Sequence, residues 1–298
     1  MTWPSNSLFY RVKACDRQSK YEMRINAPRG LGGRRYLAIS WGVIYAGKMQ
    51  EVPRVFLVGA GPGDPELLTL KGLRLLRSAD VVIYDRLISD AILDEVPPGA
   101  SRIYVGKQGG THSLPQQEIS ELLVGLGQEN KCVVRLKGGD PFIFGRGGEE
   151  ALALAEAGIP FEIVPGVTAA SGIMGHLGLP LTHRGLANGV RFVTGQCGKG
   201  VALDLNWHSL ADPETTLVVY MGLAKLREIS AELLAAGMPG DLPAIAISKG
   251  TLEDEELCLG TLASLAEQVE AIALSPPVII VFGRIVSLYS KLSGKGDV

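Results

Sequence analysis

The stretch V-V-R-L-K-G-G-D-P-F-I-F-G-R-G-G-E-E at residues 133–150 constrains the fold more than any other part of the chain. It begins as an apolar β-branched run, breaks at Gly138-Gly139 and returns to a helical pattern near Glu149. This order predicts a buried strand, a glycine-opened loop and a helix, which places ligand-facing groups at the carboxyl end of a strand. Adjacent glycines also let a ligand press against bare backbone. We therefore predict a ligand site here, although Gly-Gly and Asp-Pro also occur in ordinary turns.

A second glycine-rich loop, G-A-G-P-G-D-P at 59–65, follows an apolar strand at 55–58 and precedes a helical pattern at 66–77. Asp64 suits the N-cap of that helix, with Pro65 at its first position. Asp64 also stands where a dinucleotide fingerprint needs its third glycine, and a carboxylate there would repel a pyrophosphate. The loop therefore favours a neutral or cationic ligand over NAD and disfavours a nicotinamide dehydrogenase.

Charged residues follow two more of the predicted strands in this half. The half continues with strands at 81–84, 102–105 and 161–164 and helices at 115–127 and 149–157. Carboxyl ends of parallel strands share one edge of a sheet, so Asp85 and Lys107 become candidate active-site groups. The alternative for each is a solvated loop charge. Small residues from Thr168 onward predict a helix that a ligand can approach closely.

Predicted strands and helices alternate again in the second half of the chain, after L-P-L-T-H-R-G. A domain boundary therefore fits near 175–190. Its predicted elements are strands at 191–194, 216–220, 243–248, 256–260 and 278–282 and helices at 224–236 and 262–273. We divide the chain into a basic N-terminal extension of unknown role (1–52), an N-terminal α/β domain (53–175) and a C-terminal α/β domain (176–298). A cleft between two α/β domains is a common ligand site.

Charge is unevenly distributed along the chain. Residues 1–52 hold nine basic and three acidic residues, a net of +6, which leaves −8 for the remainder because the total is −2. An acidic body argues against nucleic acid as the main partner. For the extension, a transit peptide, a basic arm and a poorly ordered segment all remain open.

Cysteine and histidine spacing predicts neither disulfides nor a metal. Cys15, Cys132, Cys197 and Cys258 lie far apart, without a C-x-x-C pair, and no H-E-x-x-H motif occurs. No apolar run reaches the roughly 18 residues of a membrane-spanning helix. We expect a cytoplasmic protein with reduced thiols, no metal and no membrane partner.

Seven motifs of this chain occur in the same order as in a known protein family. They are G-A-G-P-G-D-P-E-L-L-T-L-K-G, V-V-I-Y-D-R-L-I-S, V-G-K, the 133–150 stretch, V-P-G-V-T-A-A-S-G, L-P-L-T-H-R-G and V-Y-M-G. Together they resemble the uroporphyrinogen-III C-methyltransferases of the tetrapyrrole methylase family, the class III SAM-dependent methyltransferases. The resemblance runs from about Arg54 to about Leu292.

The resemblance implies an α/β protein with the tetrapyrrole methylase fold, in which two αβα domains enclose the active site in the cleft between them. It implies a homodimer that uses S-adenosyl-L-methionine and releases S-adenosyl-L-homocysteine. The enzyme would methylate uroporphyrinogen III at two ring carbons, giving precorrin-2 via precorrin-1. Precorrin-2 feeds sirohaem, cobalamin or haem d1 synthesis.

Carried over by motif, the resemblance also assigns residues. Asp85 would be the proton acceptor, and Lys107 would donate a proton or only hold a carboxylate. Independently of the family, we take Glu118, on the segment after His112, as the second candidate for the base. Gln108 departs from the family, which usually has Arg there. The cofactor would contact Pro62, Gly138, Gly139, Asp140, Ile143, Thr168, Ala169, Met221 and Gly250.

A substrate rich in carboxylates requires cations in the cleft, because Arg pairs carboxylates in bidentate fashion. The candidates on the motif loops are Arg86, Lys107, His112, Arg135, Arg146, His183 and Arg184. For each of them alone, a surface salt bridge is the alternative. Two rival functions remain open: a class III methylase with another substrate, and a regulatory protein that binds S-adenosylmethionine without catalysis.

Overall fold

The computed structural model describes residues 54–106, 114–129, 131–196 and 203–293, together with the backbone of 44–45 and 48–49. The chain divides into two compact units, Met1–Val52 and Pro53–Val298. In the first, β1 (Ile44–Tyr45) pairs antiparallel with β2 (Lys48–Met49). Other expectations for the extension lie outside the described residues, and everything below concerns the second unit.

The first sheet of this unit has five parallel strands in the order β5-β4-β6-β3-β7. Each forms from one of the apolar runs noted above, within one residue of the predicted bounds. The strands are β3 (Val55–Gly59), β4 (Val81–Tyr84), β5 (Ser101–Tyr104), β6 (Val133–Lys137) and β7 (Phe161–Val164).

Helices cover both faces of this sheet. They are α1 (Leu70–Leu76), α2 (Asp90–Leu93), α3 (Gln116–Gln128) and α4 (Gly147–Glu156). Successive strand residues point to opposite faces. Val134 of β6 accordingly lies in the core cluster with Leu76 of α1, whereas Val133 lies in the cluster with Leu123 of α3 and Leu154 of α4.

The helix predicted over 66–77 is wrong in one respect, because it is broken in two. Asp64 caps a 3₁₀ turn over Pro65–Leu67, as predicted for its carboxylate, which accepts from the backbone N of Glu66 at 2.8 Å. The chain is then extended, and Thr69 starts α1 by accepting from the N of Gly72 at 3.0 Å. A second N-cap within the predicted helix therefore restarts it.

The second sheet is mixed, with the order β11-β10-β12-β9-β8, and only the β8–β9 pair is parallel. The two helices predicted here, over 224–236 and 262–273, are shorter than predicted at both ends. The elements are β8 (Gly189–Thr194), β9 (Thr215–Tyr220), β10 (Pro243–Ser248), β11 (Glu256–Thr261), β12 (Val278–Phe282), α6 (Trp207–Leu210), α7 (Leu226–Ala235), α8 (Leu265–Ala271) and α9 (Tyr289–Leu292).

Helix α5 (Ala169–His176) follows the first sheet in sequence but packs on the second. Its residues Ile173 and Met174 share a buried cluster with Val218 of β9 and Val281 of β12. The domain boundary predicted at 175/176 stays a prediction. No helix in the described part of the chain is long and apolar enough to cross a bilayer.

Candidate active site

Three loops of the first sheet touch at its carboxyl edge through glycine backbone. After β3 and β6, the N of Gly139 donates to the O of Gly61 at 2.7 Å, and the N of Gly61 donates to the O of Gly139 at 3.2 Å. Both residues have positive φ, +75° for Gly61 and +66° for Gly139, which glycine adopts without strain. A methyl group added to Gly59 would lie 2.5 Å from the Cα of Gly166, in the loop after β7. The glycines of both predicted loops therefore permit this contact.

Asp140 locks two of these loops together. Its Oδ1 accepts from the N of Phe142 at 2.8 Å and its Oδ2 accepts from the N of Gly166 at 3.1 Å. Both oxygens thus hold backbone amides. The carboxylate therefore shapes the predicted cofactor loop.

Helix α5 brings further predicted cofactor residues beside these loops. A methyl group on its Gly172 would lie 2.7 Å from the Cγ of Pro62, and one on Gly250 would lie 2.6 Å from the Cγ2 of Ile173. Ile143 and Ala169 both pack on the core cluster to which α5 contributes. These four predicted cofactor residues therefore come from both α/β halves and lie around one helix.

Tyr220, at the end of β9, ties the second half to the start of α5. Its hydroxyl lies 2.6 Å from the Oγ1 of Thr168 and accepts from the N of Ala170 at 3.0 Å. Thr168 occupies the N-cap but makes no capping bond of its own, so the tyrosine hydroxyl supplies the capping acceptor. Burial raises the pKa of Tyr220, which keeps the hydroxyl protonated. We did not predict this role, although Tyr220 stands in the V-Y-M-G motif.

Backbone strain concentrates at the same loops. Of six described non-glycine residues with positive φ, five lie in the loops that follow β6, β9 and β10, and the sixth, Ala273, follows α8. Such conformations cluster at functional sites. The five are Phe144, Arg146, Met221, Lys249 and Thr251.

Four large apolar side chains are exposed on these edge loops. Leu87, Phe142, Phe144 and Met221 are 44, 56, 38 and 47% exposed. Exposed apolar side chains beside a candidate ligand site suit a ligand with flat, apolar rings.

Asp85, the predicted base, follows β4 at this edge. Its Oδ1 accepts from the N of Leu87 at 3.1 Å and its Oδ2 from the Nη2 of Arg135 at 3.2 Å. Its side chain is 26% exposed, so a ligand can reach the carboxylate.

Arg135 was expected to bind substrate carboxylates, but the structure buries it. Its side chain is 4% exposed, and its guanidinium also bonds the carboxylate of Glu150. Position 135 on the central strand points inward, so its donors are used inside the protein. We therefore replace substrate contact with a role in holding Asp85.

Two residues of this buried cluster were missed. Lys137 Nζ lies 3.0 Å from Glu150 Oε1, and both side chains are buried. Burial, and then the charge of Arg135, lower the pKa of Lys137. The available signal was two cations in an otherwise apolar strand, since buried charges are rare unless paired.

The structure does not bring Glu118 to Asp85. Gln116, at the start of α3, donates to Glu150 at 3.1 Å. Residues advance about 100° each around a helix, so Glu118 points about 200° away from that contact. Its side chain is exposed.

The remaining predicted cations have different environments. Arg86 and Arg184 are exposed. Arg146 donates to Glu149 through two bonds of 2.8 and 2.7 Å, which raises the pKa of the arginine and lowers that of the glutamate. His183 Nδ1 lies 2.8 Å from the O of Arg184, within a tight turn.

Several expectations are not decided by the described residues. Lys107, His112 and Gln108 lie outside them, so their roles stay predictions. The part of the chain that is described holds no cluster of three potential metal ligands, and its two cysteines, Cys132 and Cys258, are free thiols. The cytoplasmic location also stays a prediction.

Comparison with known proteins decides the family. The sequence pattern of the tetrapyrrole (corrin/porphyrin) methylases matches residues 54–266. The chain belongs to this family.

Sequence relatives divide into two kinds. The chain is 52% identical over 235 residues to a uroporphyrinogen-III C-methyltransferase of Paracoccus denitrificans, covering 79% of this chain and 82% of that one. It is 53% identical over 247 residues to a siroheme synthase of Hahella chejuensis, covering 83% of this chain and 52% of that one. The chain thus spans about half the length of the siroheme synthases that it matches.

Solved structures agree with the fold of this tetrapyrrole methylase. A uroporphyrin-III C-methyltransferase of Thermus thermophilus is 43% identical with a TM-score of 0.68, covering 79% of this chain and 99% of that one. The same Thermus enzyme has also been solved with S-adenosyl homocysteine. A cobalt precorrin-4 methyltransferase is 29% identical with a TM-score of 0.69, covering 78% of this chain and 95% of that one. The predicted α/β fold with two sheets is confirmed.

Proposed function

We propose that this tetrapyrrole methylase transfers methyl groups from S-adenosyl-L-methionine to two ring carbons of uroporphyrinogen III, giving precorrin-2 via precorrin-1. The observation that carries the proposal is the 52% identity to the Paracoccus uroporphyrinogen-III C-methyltransferase over most of both chains. The Asp85 carboxylate at the edge of the glycine loops supports it, because a reaction at a ring carbon requires a proton acceptor.

The edge loops fit S-adenosylmethionine chemically. Gly138 is partly exposed and carries no side chain, and the exposed Met221 offers an apolar contact for adenine. Asp64 and Asp140 stand on the loops, where a dinucleotide would need a pyrophosphate cradle. Carboxylates near the ligand favour a cation, and S-adenosylmethionine is a sulfonium cation.

When bound, S-adenosylmethionine supplies an activated methyl group. The chain's own contribution is orientation, because aligned reactants recover several kcal/mol of a barrier. Tyr220 and Asp140 hold the loops that would form the cofactor surface, each through two hydrogen bonds. Asp85, held by Arg135, would then accept the proton that the tetrapyrrole must release to lose the positive charge it gains with the methyl group.

Substrate carboxylates require exposed cations at the mouth of the site. Arg86 and Arg184 are exposed and are our first candidates. Arg146 would have to exchange its bidentate pair with Glu149 for a substrate carboxylate. Lys107 and His112 complete the proposed set from the sequence, where Lys107 would donate a proton or hold a carboxylate.

We also propose that the chain acts as a homodimer, as the family resemblance implies. Light scattering on the purified protein should give twice the monomer mass of 31.7 kDa. A monomer that retains full activity would contradict this part of the proposal.

The decisive assay is anaerobic incubation with uroporphyrinogen III and methyl-labelled S-adenosylmethionine, with the product mass as readout. We expect a gain of two methyl groups. A gain of one would locate a defect in the second transfer, with Gln108 as the first suspect. Tight cofactor binding without methyl transfer would refute the proposed substrate and favour another methylase or a sensor.

A further inference from the structure

A chain of buried charges runs from Glu150 on α4 to Asp85 at the sheet edge. The Oε1 of Glu150 accepts from Arg135 Nε at 3.2 Å, from Lys137 Nζ at 3.0 Å and from Gln116 Nε2 at 3.1 Å. Arg135 Nη2 in turn donates to Asp85 Oδ2 at 3.2 Å. The side chains of Glu150, Arg135 and Lys137 are 0, 4 and 5% exposed, against 26% for Asp85. Only the last member of the chain is therefore accessible to a ligand.

The location of these charges is not explained by packing. β6 is the central strand of its sheet, and on the same face Val133 packs with Leu154 of α4. Towards the carboxyl end, that face carries Arg135 and Lys137 instead of apolar residues. Buried ion pairs lose hydration, and well-packed apolar residues in their place are often equally stable or more stable. The change from apolar to ionic thus coincides with the candidate active site.

Arg135 transmits the position of Glu150 to Asp85. Its guanidinium is planar and presents its donors in a fixed geometry. Nε is held by Glu150 and Nη1 donates to the O of Leu136 at 2.9 Å. With these two donors fixed, the third nitrogen points in one direction, and it meets Asp85 Oδ2 there.

Glu150 also balances the charge of the cluster. Arg135 and Lys137 are matched by the two carboxylates, Glu150 and Asp85. Burial, and then the charge of Arg135, lower the pKa of Lys137, whereas Glu150 acts to raise it. Without Glu150, both cations would compete for the single remaining carboxylate.

We propose that Glu150 is a positioning residue that holds Asp85, through Arg135, in the orientation of a proton acceptor. The inference rests on the proposed methyl transfer, and it adds a residue that contacts neither ligand. Its effect should therefore appear in turnover and not in ligand affinity.

A double-mutant cycle between Glu150→Gln and Asp85→Asn tests the inference. Glu150→Gln alone should lower kcat about tenfold or more while changing KM and the cofactor Kd less than about twofold, as expected for an interaction used only in the transition state. In the Asp85→Asn background, the same substitution should change kcat less than about twofold, since its route of action is already lost. An equal factor in both backgrounds would overturn the inference.

Matched variants separate positioning from folding. Glu156→Gln removes an exposed carboxylate from the same helix and should leave kcat unchanged. If Glu150→Gln does not fold, because it leaves two buried cations facing one carboxylate, the charge-balanced variant Lys137→Gln/Glu150→Gln replaces it in the cycle. The same outcomes then decide.

Crystal structures decide the inference independently of turnover. In Glu150→Gln, or in its charge-balanced replacement, Arg135 should leave the position from which it donates to Asp85. Persistence of that contact near its present 3.2 Å would refute the inference. Absence of methyl transfer by the parent enzyme would refute the proposed function instead.

Discussion

The hydroxyl of Tyr220 allows a sharp test of how the two halves cooperate. Tyr220→Phe removes one oxygen and leaves the ring, which packs 4.9 Å from the ring of Phe144 between centroids. The lost hydroxyl bonds Thr168 and caps the fully buried Ala170 N–H. Loss of an N-cap, or of the partner of a buried amide, costs about 1–2 kcal/mol. We expect the free energy of unfolding to fall by that amount.

Thermal unfolding followed by circular dichroism measures this change. For a unit of this size, about 1–2 kcal/mol corresponds to a fall in Tm of about 2–4 °C. If the proposed cofactor site is correct, the Kd for S-adenosylmethionine should also rise, by up to about tenfold, because about 1.4 kcal/mol is one decade. Calorimetric titration would provide that value.

Tyr289→Phe is the matched control. Tyr289 is a second buried tyrosine in the same core cluster, and its hydroxyl makes no hydrogen bond to another described residue. Equal losses of stability and cofactor affinity in both variants would refute the capping role of Tyr220.

Three further predictions follow from particular contacts. Asp85→Ala should lower turnover by about 10² or more, as loss of a general base does. The cofactor Kd should stay within about twofold, because the side-chain hydrogen bonds of Asp85 go to Leu87 and Arg135. A matching loss of cofactor binding would contradict the role of Asp85 as the base. Gly166→Ala would place a methyl group 2.3 Å from the O of Gly139 and should destabilise the fold by about 1–3 kcal/mol. Gly99→Ala is the control, because a methyl group there would have no atom within 4 Å and should not destabilise the fold. Equal denaturant midpoints for the two variants would refute the close-approach argument. Burial raises the pKa of the Cys132 and Cys258 thiols, so both should be alkylated slowly in the native protein at neutral pH. Below those pKa values, the alkylation rate should rise about tenfold per pH unit, as the thiolate fraction does. Rapid, pH-independent labelling in peptide mapping would contradict this prediction.

Strand prediction succeeded because the apolar runs in this chain are short and bounded by glycine or charge. The strands at 81–84 and 243–248 have the predicted bounds. Helix ends were less predictable. The new helix start at Thr69 depends on one side-chain hydroxyl that accepts a backbone hydrogen bond. A threonine among helix-forming residues can lie inside a helix or cap its start, and the sequence pattern does not distinguish the two.

The candidate site residues also divide into those that a local sequence pattern reveals and those that only the packing of the chain decides. Glycine loops could be located from sequence, because the need for bare backbone leaves a visible residue type. Arg135 could not be assigned correctly, since an arginine on a motif looks the same whether it meets a substrate or an internal carboxylate. Glu150 was overlooked beside Glu149, although one is fully buried and the other is exposed on the same helix.

The sequence by itself determined the alternation of strands and helices, the family and the loops on which a ligand site would form. These depend on local patterns of apolar residues, glycines and caps. The tertiary structure alone decided which charges face inward, that Tyr220 of the second sheet caps α5, and that Asp85 is held by Arg135. These contacts join residues 50 positions apart along the chain. Their existence depends on how two sheets and their helices pack, which no local pattern records.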